Sequence, residues 1–213
     1  APVAEAPKAA ATAATARRAT EVVRNPYGLE SLWRTSDAGA KATFFTLGWV
    51  AERYPQLVRA IVAQGHELAS HGYDHQRASD LSPRAFFDDI DRARRLLQDI
   101  GGVEVQGYRA PSFSIGADNL WAFGDLARAG YRYSSSIYPI RHDRYGIPDS
   151  PRFAHTARAG VLEIPATTLR LGGRNLPAGG GGYFRLLPYA LSRWMLRAVN
   201  RRDGQPAVFY FHP

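Results

Sequence analysis

The 213-residue chain contains no cysteine, which excludes a disulfide framework and any thiolate metal site. A metal ion bound by this chain must therefore use histidine or carboxylate ligands. Lysine is nearly absent. Lys8 and Lys41 stand against 25 arginines, within a net charge of +8 and a pI near 10.0. The arginines are scattered along the sequence and form no stripe. A nucleic-acid partner is not expected, because an electrostatic footprint needs clustering as well as net charge. The charge is compatible with an acidic polysaccharide or an anionic membrane surface. Long apolar runs are also missing. The longest, Ala42 to Ala51, falls short of the roughly 18 residues a membrane helix needs, so no membrane span is expected. The Ala-rich stretch over residues 1–24 lacks the compact apolar core of a secretory signal peptide and reads as a disordered tail. On that basis a cytoplasmic location is slightly favoured. Oligomeric state is left open.

What is present alternates between strand and helix patterns. Strands are expected at Ala42–Leu47, His66–His71, Val105–Ala110, Tyr131–Ile137, Val161–Thr167 and Ala207–His212. A helix over Pro55–Gln64 places Leu57, Val58, Ile61 and Val62 on one face, with Gly65 as its stop. Ser82-Pro83 is a helix start, and Phe86, Ile90, Ala93 and Leu97 then recur at helical spacing up to Gly101. Further helices are expected over Asn119–Arg128 and Pro188–Asn200. This alternation argues for an α/β fold with a parallel sheet. Residues 138–160 and 170–187 read as long Gly/Pro-rich connections of the kind that often bind ligands. Within the second, Gly179–Gly182 is expected to be a flexible lip, not a phosphate loop, since it lacks the lysine and the strand–helix setting.

Chemistry-bearing residues sit at strand ends. His71 and His75 lie four residues apart in Ser70-His71-Gly72-Tyr73-Asp74-His75, just past a strand, where two imidazoles can converge on one divalent cation. The spacing alone is a weak signal, more often describing two solvated or core histidines. Arg109 and His212 also fall at strand C-termini, the edge where active sites of β/α barrels gather. Arg141–Tyr145 is a polar loop, either substrate-facing or merely solvated.

Four motifs occur in order: Ala42-Thr43-Phe44-Phe45; Ser70-His71-Gly72-Tyr73-Asp74-His75; Gly107-Tyr108-Arg109-Ala110-Pro111-Ser112-Phe113; and Phe209-Tyr210-Phe211-His212-Pro213. Together they resemble the polysaccharide deacetylase family, the NodB-homology or carbohydrate esterase family 4 enzymes. The nearest likeness is to deacetylases of bacterial exopolysaccharide loci, and it covers about Asp37 to Pro213. The resemblance implies an incomplete (β/α) barrel spanning residues 36–213, with residues 1–35 a non-matching N-terminal segment. It implies metal-dependent hydrolysis of N-acetyl groups on sugar residues of an N-acetylated polysaccharide or oligosaccharide. His71 and His75 are then ligands to a divalent metal, zinc being the expected ion. His212 is the general acid, and Arg109 orients the catalytic carboxylate. Tyr73, Pro111, Ser112, Phe113 and Tyr183 are expected to shape the substrate groove.

The sequence also departs from the family. Its members begin with a Phe-Asp-Val-Glu-Asp strand that supplies a metal-binding Asp and the general base. The only acids before Lys41 are Glu5, Glu21, Glu30 and Asp37, none in such a strand. Relatives carry Asp at the Ser134 position and continue past His-Pro. The expectation is therefore a barrel lacking its first strand. The chain is either a fragment of a deacetylase or a degenerate paralogue that binds carbohydrate without cleaving it.

Overall fold

A computed structural model of the chain describes residues 39–211. The tail expected over residues 1–24 and the acid assigned to His212 lie outside the described residues.

The first half of the chain is built from strand–helix units. Strand β1 (Thr43–Thr46) leads into helix α1 (Gly48–Arg53) and helix α2 (Pro55–Ala63). Helix α2 starts on Pro55, whose missing N–H costs nothing at a first helical turn. It buries Leu57, Val58 and Ile61, the i, i+1 and i+4 positions of one face. Strand β2 (Glu67–Ser70) follows. Leu68, Ala69 and Ser70 are all buried, as expected of a parallel strand covered on both faces.

Helix α3 (Pro83–Gly101) shows the start signal read from the sequence and ends where its apolar pattern does. The Ser82 hydroxyl accepts from the Ala85 N–H at 3.3 Å, Pro83 opens the first turn, and Gly102 ends the helix at φ +65°. Its buried stripe is Phe86, Ile90, Ala93 and Leu97. Strands β3 (Gly107–Tyr108) and β4 (Tyr133–Ser134) flank helix α4 (Ala122–Arg128). Strands β5 (His155–Thr156) and β6 (Leu162–Glu163) complete a six-stranded sheet in the order β1-β2-β3-β4-β6-β5. All neighbours are parallel except β5 against β6. Among the described residues the sheet stays open, with β1 and β5 as its edges. The fold is thus α/β and mostly parallel. The strands expected at Val105–Ala110, Tyr131–Ile137 and Val161–Thr167 are regular over two residues each.

The last third differs from expectation. The 170–187 connection contains an antiparallel hairpin, β7 (Thr168–Leu171) and β8 (Arg174–Pro177), turned by Gly172 (φ +55°) and Gly173 (φ +77°). Two successive positive φ angles make the twist-compatible hairpin turn that glycine favours. Helices α5 (Gly181–Leu186) and α6 (Tyr189–Asp203) follow. Ala207–Tyr210 forms no strand. Its backbone docks on the glycine run through Tyr210 N–H to Gly179 O at 2.7 Å and Gly181 N–H to Tyr210 O at 2.9 Å.

That docking replaces the flexible lip expected at Gly179–Gly182. Gly179, Gly180 and Gly181 are buried. A Cβ on Gly180 would come within 2.1 Å of Tyr210 O, and one on Gly179 within 2.9 Å of Thr167 N. Glycine is required there because two backbones approach with no room for a side chain.

Candidate active site

The C-terminal ends of the parallel strands form one edge, and ladder bonds continue past each strand along it. The His71 N–H donates to Thr46 O, the Arg109 N–H to Ser70 O, the Ser135 N–H to Tyr108 O and the Ile164 N–H to Ser134 O, all at 2.8–2.9 Å. This row brings His71, Arg109, Ser135 and the residues after Glu163 side by side.

His71 and His75 come together with ring centres 5.1 Å apart at 73°. The His71 Nδ1–H donates to the Arg109 carbonyl at 2.6 Å, because a carbonyl can only accept. That bond selects the tautomer in which Nε2 carries the lone pair. Histidines that bind metals are fixed by this kind of second bond. Two imidazoles sharing a tetrahedral zinc through bonds of about 2.1 Å also have ring centres about 5 Å apart. The pair therefore fits a divalent cation. The set is incomplete: among the described residues no three His, Cys, Asp or Glu side chains converge as a metal site. His71 and His75 would hold the ion, and a divalent cation there would supply Lewis-acid polarisation and an acidified water.

The turn that carries His75 is held from behind. Gly72 has φ +79° and His75 φ +61°. The Gly48 and Trp49 N–H groups at the start of α1 donate to the Gly72 and Tyr73 carbonyls at 2.9 and 3.2 Å. The Asp89 carboxylate of α3 accepts from the Tyr73 N–H at 3.0 Å and the Asp74 N–H at 3.4 Å. Burial raises the Asp89 carboxyl above its ordinary value, and the two backbone donors counter that rise.

Tyr73 was expected in the substrate groove, but its side chain is committed to the scaffold. It is buried, its hydroxyl donates to Glu52 of α1, and the Arg92 guanidinium of α3 lies 3.5 Å from its ring centre. Glu52 and Arg92 are within 3.8 Å of each other, so the three side chains form one cluster behind the turn.

Arg109 extends from the end of β3 into a nearly buried slot. Its Nε donates to Ser135 O at 2.9 Å and its Nη2 to Ser135 Oγ at 2.7 Å. The guanidinium lies 4.4 Å from the Phe45 ring centre and 5.5–5.6 Å from those of Tyr210 and Phe113. Burial lowers its pKa to about 10, so it stays charged at neutral pH, with Glu163 and Tyr210 pulling the other way. Among the described residues no carboxylate lies within ion-pair distance of it. The role expected of Arg109, orienting a catalytic carboxylate, has no described partner.

Pro111, Ser112 and Phe113 form a short 3₁₀ turn after β3, with Ser112 at φ +56° and Phe113 at φ +52°. Pro111 is buried and Ser112 exposed. Phe113 joins an aromatic cluster in which Tyr210 and Tyr138 lie 5.0 and 5.2 Å away. Tyr145 and Tyr183 pack against the same cluster. The structure thus brings Phe113 and Tyr183 together, beside Arg109.

Glu163, at the end of β6, was not anticipated. It is fully buried, and its Oε1 accepts from the Ser136 and Ile137 N–H groups at 2.9 and 2.8 Å. Among the described residues its Oε2 has no hydrogen-bond partner within ordinary distance. Burial raises its pKa, which the Ile137 N–H and other donors oppose. The available signal was a single acid inside the apolar Val161–Thr167 run.

Residues 35–134 match the family model described as polysaccharide deacetylase, and residues 135–213 match a domain of unknown function, DUF3473. The peptidoglycan deacetylase-like protein FGM2 of Gibberella zeae is 34% identical over 97 residues, which are 46% of this chain and 28% of that protein. A peptidoglycan-N-acetylglucosamine deacetylase of Bacillus cereus is 31% identical over 83 residues, 38% of this chain and 30% of that protein. A chitooligosaccharide deacetylase of Bradyrhizobium is 37% identical over 57 residues, 27% of this chain and 26% of that protein. The chain thus spans less than a third of these curated relatives. A solved structure from Mycobacterium smegmatis, assigned to the polysaccharide deacetylases, superposes with a TM-score of 0.60 at 23% identity, covering 85% of this chain and 62% of that one. The PuuE allantoinase superposes with a TM-score of 0.58 at 16% identity, covering 87% and 60%. These two likenesses establish the fold, and their differing names show that the fold alone does not choose the substrate. The histidine pair and Arg109 lie inside residues 35–134, the segment that matches the polysaccharide deacetylase family model.

Proposed function

We propose that the chain belongs to a metal-dependent hydrolase that removes N-acetyl groups from sugar residues of a polysaccharide, with bacterial exopolysaccharide synthesis as its setting. The observation that carries this reading is the His71–His75 pair, 5.1 Å between ring centres, with His71 fixed on the Arg109 carbonyl. The match of residues 35–134 to the polysaccharide deacetylase model supports the reaction class, and the names of the curated relatives support an N-acetylated glycan as substrate.

In this reading His71 and His75 bind the cation, zinc, and the Arg109 carbonyl keeps His71 in the ligating tautomer. The Arg109 charge, desolvated and fixed on Ser135, favours negative charge developing at the acetyl oxygen. The half-buried Tyr145, Tyr183 and Tyr210, packed around Phe113, offer flat faces to a sugar ring. His212 protonates the leaving amine as general acid.

A second reading is a carbohydrate-binding pseudoenzyme. It is favoured by the lack of a third metal ligand converging on the pair among the described residues. Two measurements separate the readings. Zinc bound by the purified chain should be strongly weakened by His71→Ala or His75→Ala and unchanged by His155→Ala, whose ring bonds the Phe153 carbonyl at 2.9 Å. Equal zinc content in all variants would remove the metal site. Acetate release from N-acetylglucosamine oligomers with added zinc should be weak for the 213-residue chain and restored by grafting an Asp-bearing first strand. A missing general base lowers rates by about 10² to 10⁴. Metal binding without acetate release in the grafted chain would favour the pseudoenzyme.

A further inference from the structure

We infer that Asp89 is a positioning residue. It holds the Gly72–His75 turn in the one conformation that brings His75 to His71, and so sets the affinity of the pair for a divalent cation. The inference rests on the reading of His71 and His75 as metal ligands and adds the part of the molecule that makes them one.

His71 is placed by the sheet, because its N–H continues the β1–β2 ladder. His75 has no such support. It lies four residues farther along an irregular turn, at a left-handed φ of +61° that a non-glycine residue adopts only when its surroundings impose it. Three contacts impose it here. The two N–H groups of α1 hold the turn's carbonyls, Asp89 holds its N–H groups, and the Tyr73–Glu52–Arg92 cluster anchors its side chain. Asp89 is the only one of these that clamps two successive N–H groups through both carboxylate oxygens. Its neighbour Gly72 shows how close the clamp is: a Cβ there would sit 2.7 Å from Asp89 Oδ2. Asp89 also sits one helical turn before Arg92, so a single face of α3 supplies both the clamp and the lid over Tyr73. Substitution of a residue that orients a metal ligand typically lowers metal affinity 10- to 100-fold.

The test compares wild type, Asp89→Ala, Asp89→Asn and, as a control, Asp91→Asn, which removes a charge that, among the described residues, bonds exposed Arg95 on the same helix. Zinc affinity is measured by calorimetry. In the metal-free protein, proton–proton cross-relaxation between the His71 and His75 rings and exchange protection of the Tyr73 and Asp74 amides are measured by NMR. We expect Asp89→Ala to weaken zinc binding at least about tenfold, to lose the ring–ring cross-peaks and to lose protection at both amides. Asp89→Asn keeps one acceptor oxygen and should fall between, while Asp91→Asn should match wild type. If wild type binds no zinc, the metal reading fails, and the metal-free cross-peaks still decide the role of Asp89. Ring–ring contact retained in Asp89→Ala, or zinc binding equal to wild type in that variant, overturns the inference.

Discussion

Replacing Gly72 with Ala tests the geometry of the histidine turn through stability alone. Gly72 has φ +79°, a conformation that costs an L-residue roughly 1–2 kcal/mol. The new Cβ would also lie 2.7 Å from Asp89 Oδ2, so the carboxylate must shift away from the Tyr73 and Asp74 N–H groups. Losing one hydrogen bond to a charged acceptor adds about 1.5–3 kcal/mol, partly recovered where water reaches this half-buried site. The expected total is about 2–4 kcal/mol, or about 5–15 °C in Tm for a domain of this size. Urea unfolding followed by circular dichroism measures it. In an Asp89→Ala background the clash is gone, and the same substitution should cost only about 1–2 kcal/mol, the backbone strain alone. Equal cost in both backgrounds, or a total below about 0.5 kcal/mol, would refute the argument that Gly72 and Asp89 are mutually fitted.

Glu163→Gln should change how stability depends on pH. The folded-state pKa of Glu163 is raised above 4.5, so the folded chain binds this proton more tightly than the unfolded chain. The stability it contributes is therefore full below about pH 4.5 and is lost as pH rises through the folded value. The stability of wild type relative to Glu163→Gln should fall as pH rises above about 4.5, and a constant difference in urea titrations would contradict this. Phe113→Ala opens a hole between Tyr138, Tyr145 and Tyr210 and should cost about 3–4 kcal/mol, with Phe113→Leu costing less than half of that. Equal losses in thermal unfolding of the two variants would show that ring packing is not what Phe113 contributes.

Helices α2 and α3 were legible because their stop and start signals are local. Ser82-Pro83 before an i, i+4 apolar stripe and Gly102 after it need no distant partner. The strands leading to His71 and Arg109 were legible as short apolar runs, though their ordered lengths depend on which neighbours pair. The Gly172-Gly173 hairpin carried a readable turn signal that the Gly/Pro-rich reading of that connection passed over. Gly179–Gly181 could not be read as packed. Backbone of Thr167, Val208 and Tyr210 crowds Gly179 and Gly180, the Tyr210 ring crowds Gly181, and only the folded chain puts them there. The resemblance placed Tyr73 in the groove, yet its side chain packs onto Glu52 of α1 and Arg92 of α3.

The sequence by itself determined the alternation of strands and helices, the absence of thiolate chemistry, and the four-residue spacing of His71 and His75 just past a strand. Each of these follows from residue type and short-range spacing. Tertiary structure alone decided which groups hold those residues in place. The Arg109 carbonyl lies 38 residues from His71, Asp89 lies 16 from Tyr73, and Ser135 lies 26 from Arg109. Hydrogen bonds across such separations are made only once parallel strand ends and the α3 face are brought together. A parallel sheet joins residues far apart in sequence, so its edge collects chemistry that no local pattern encodes.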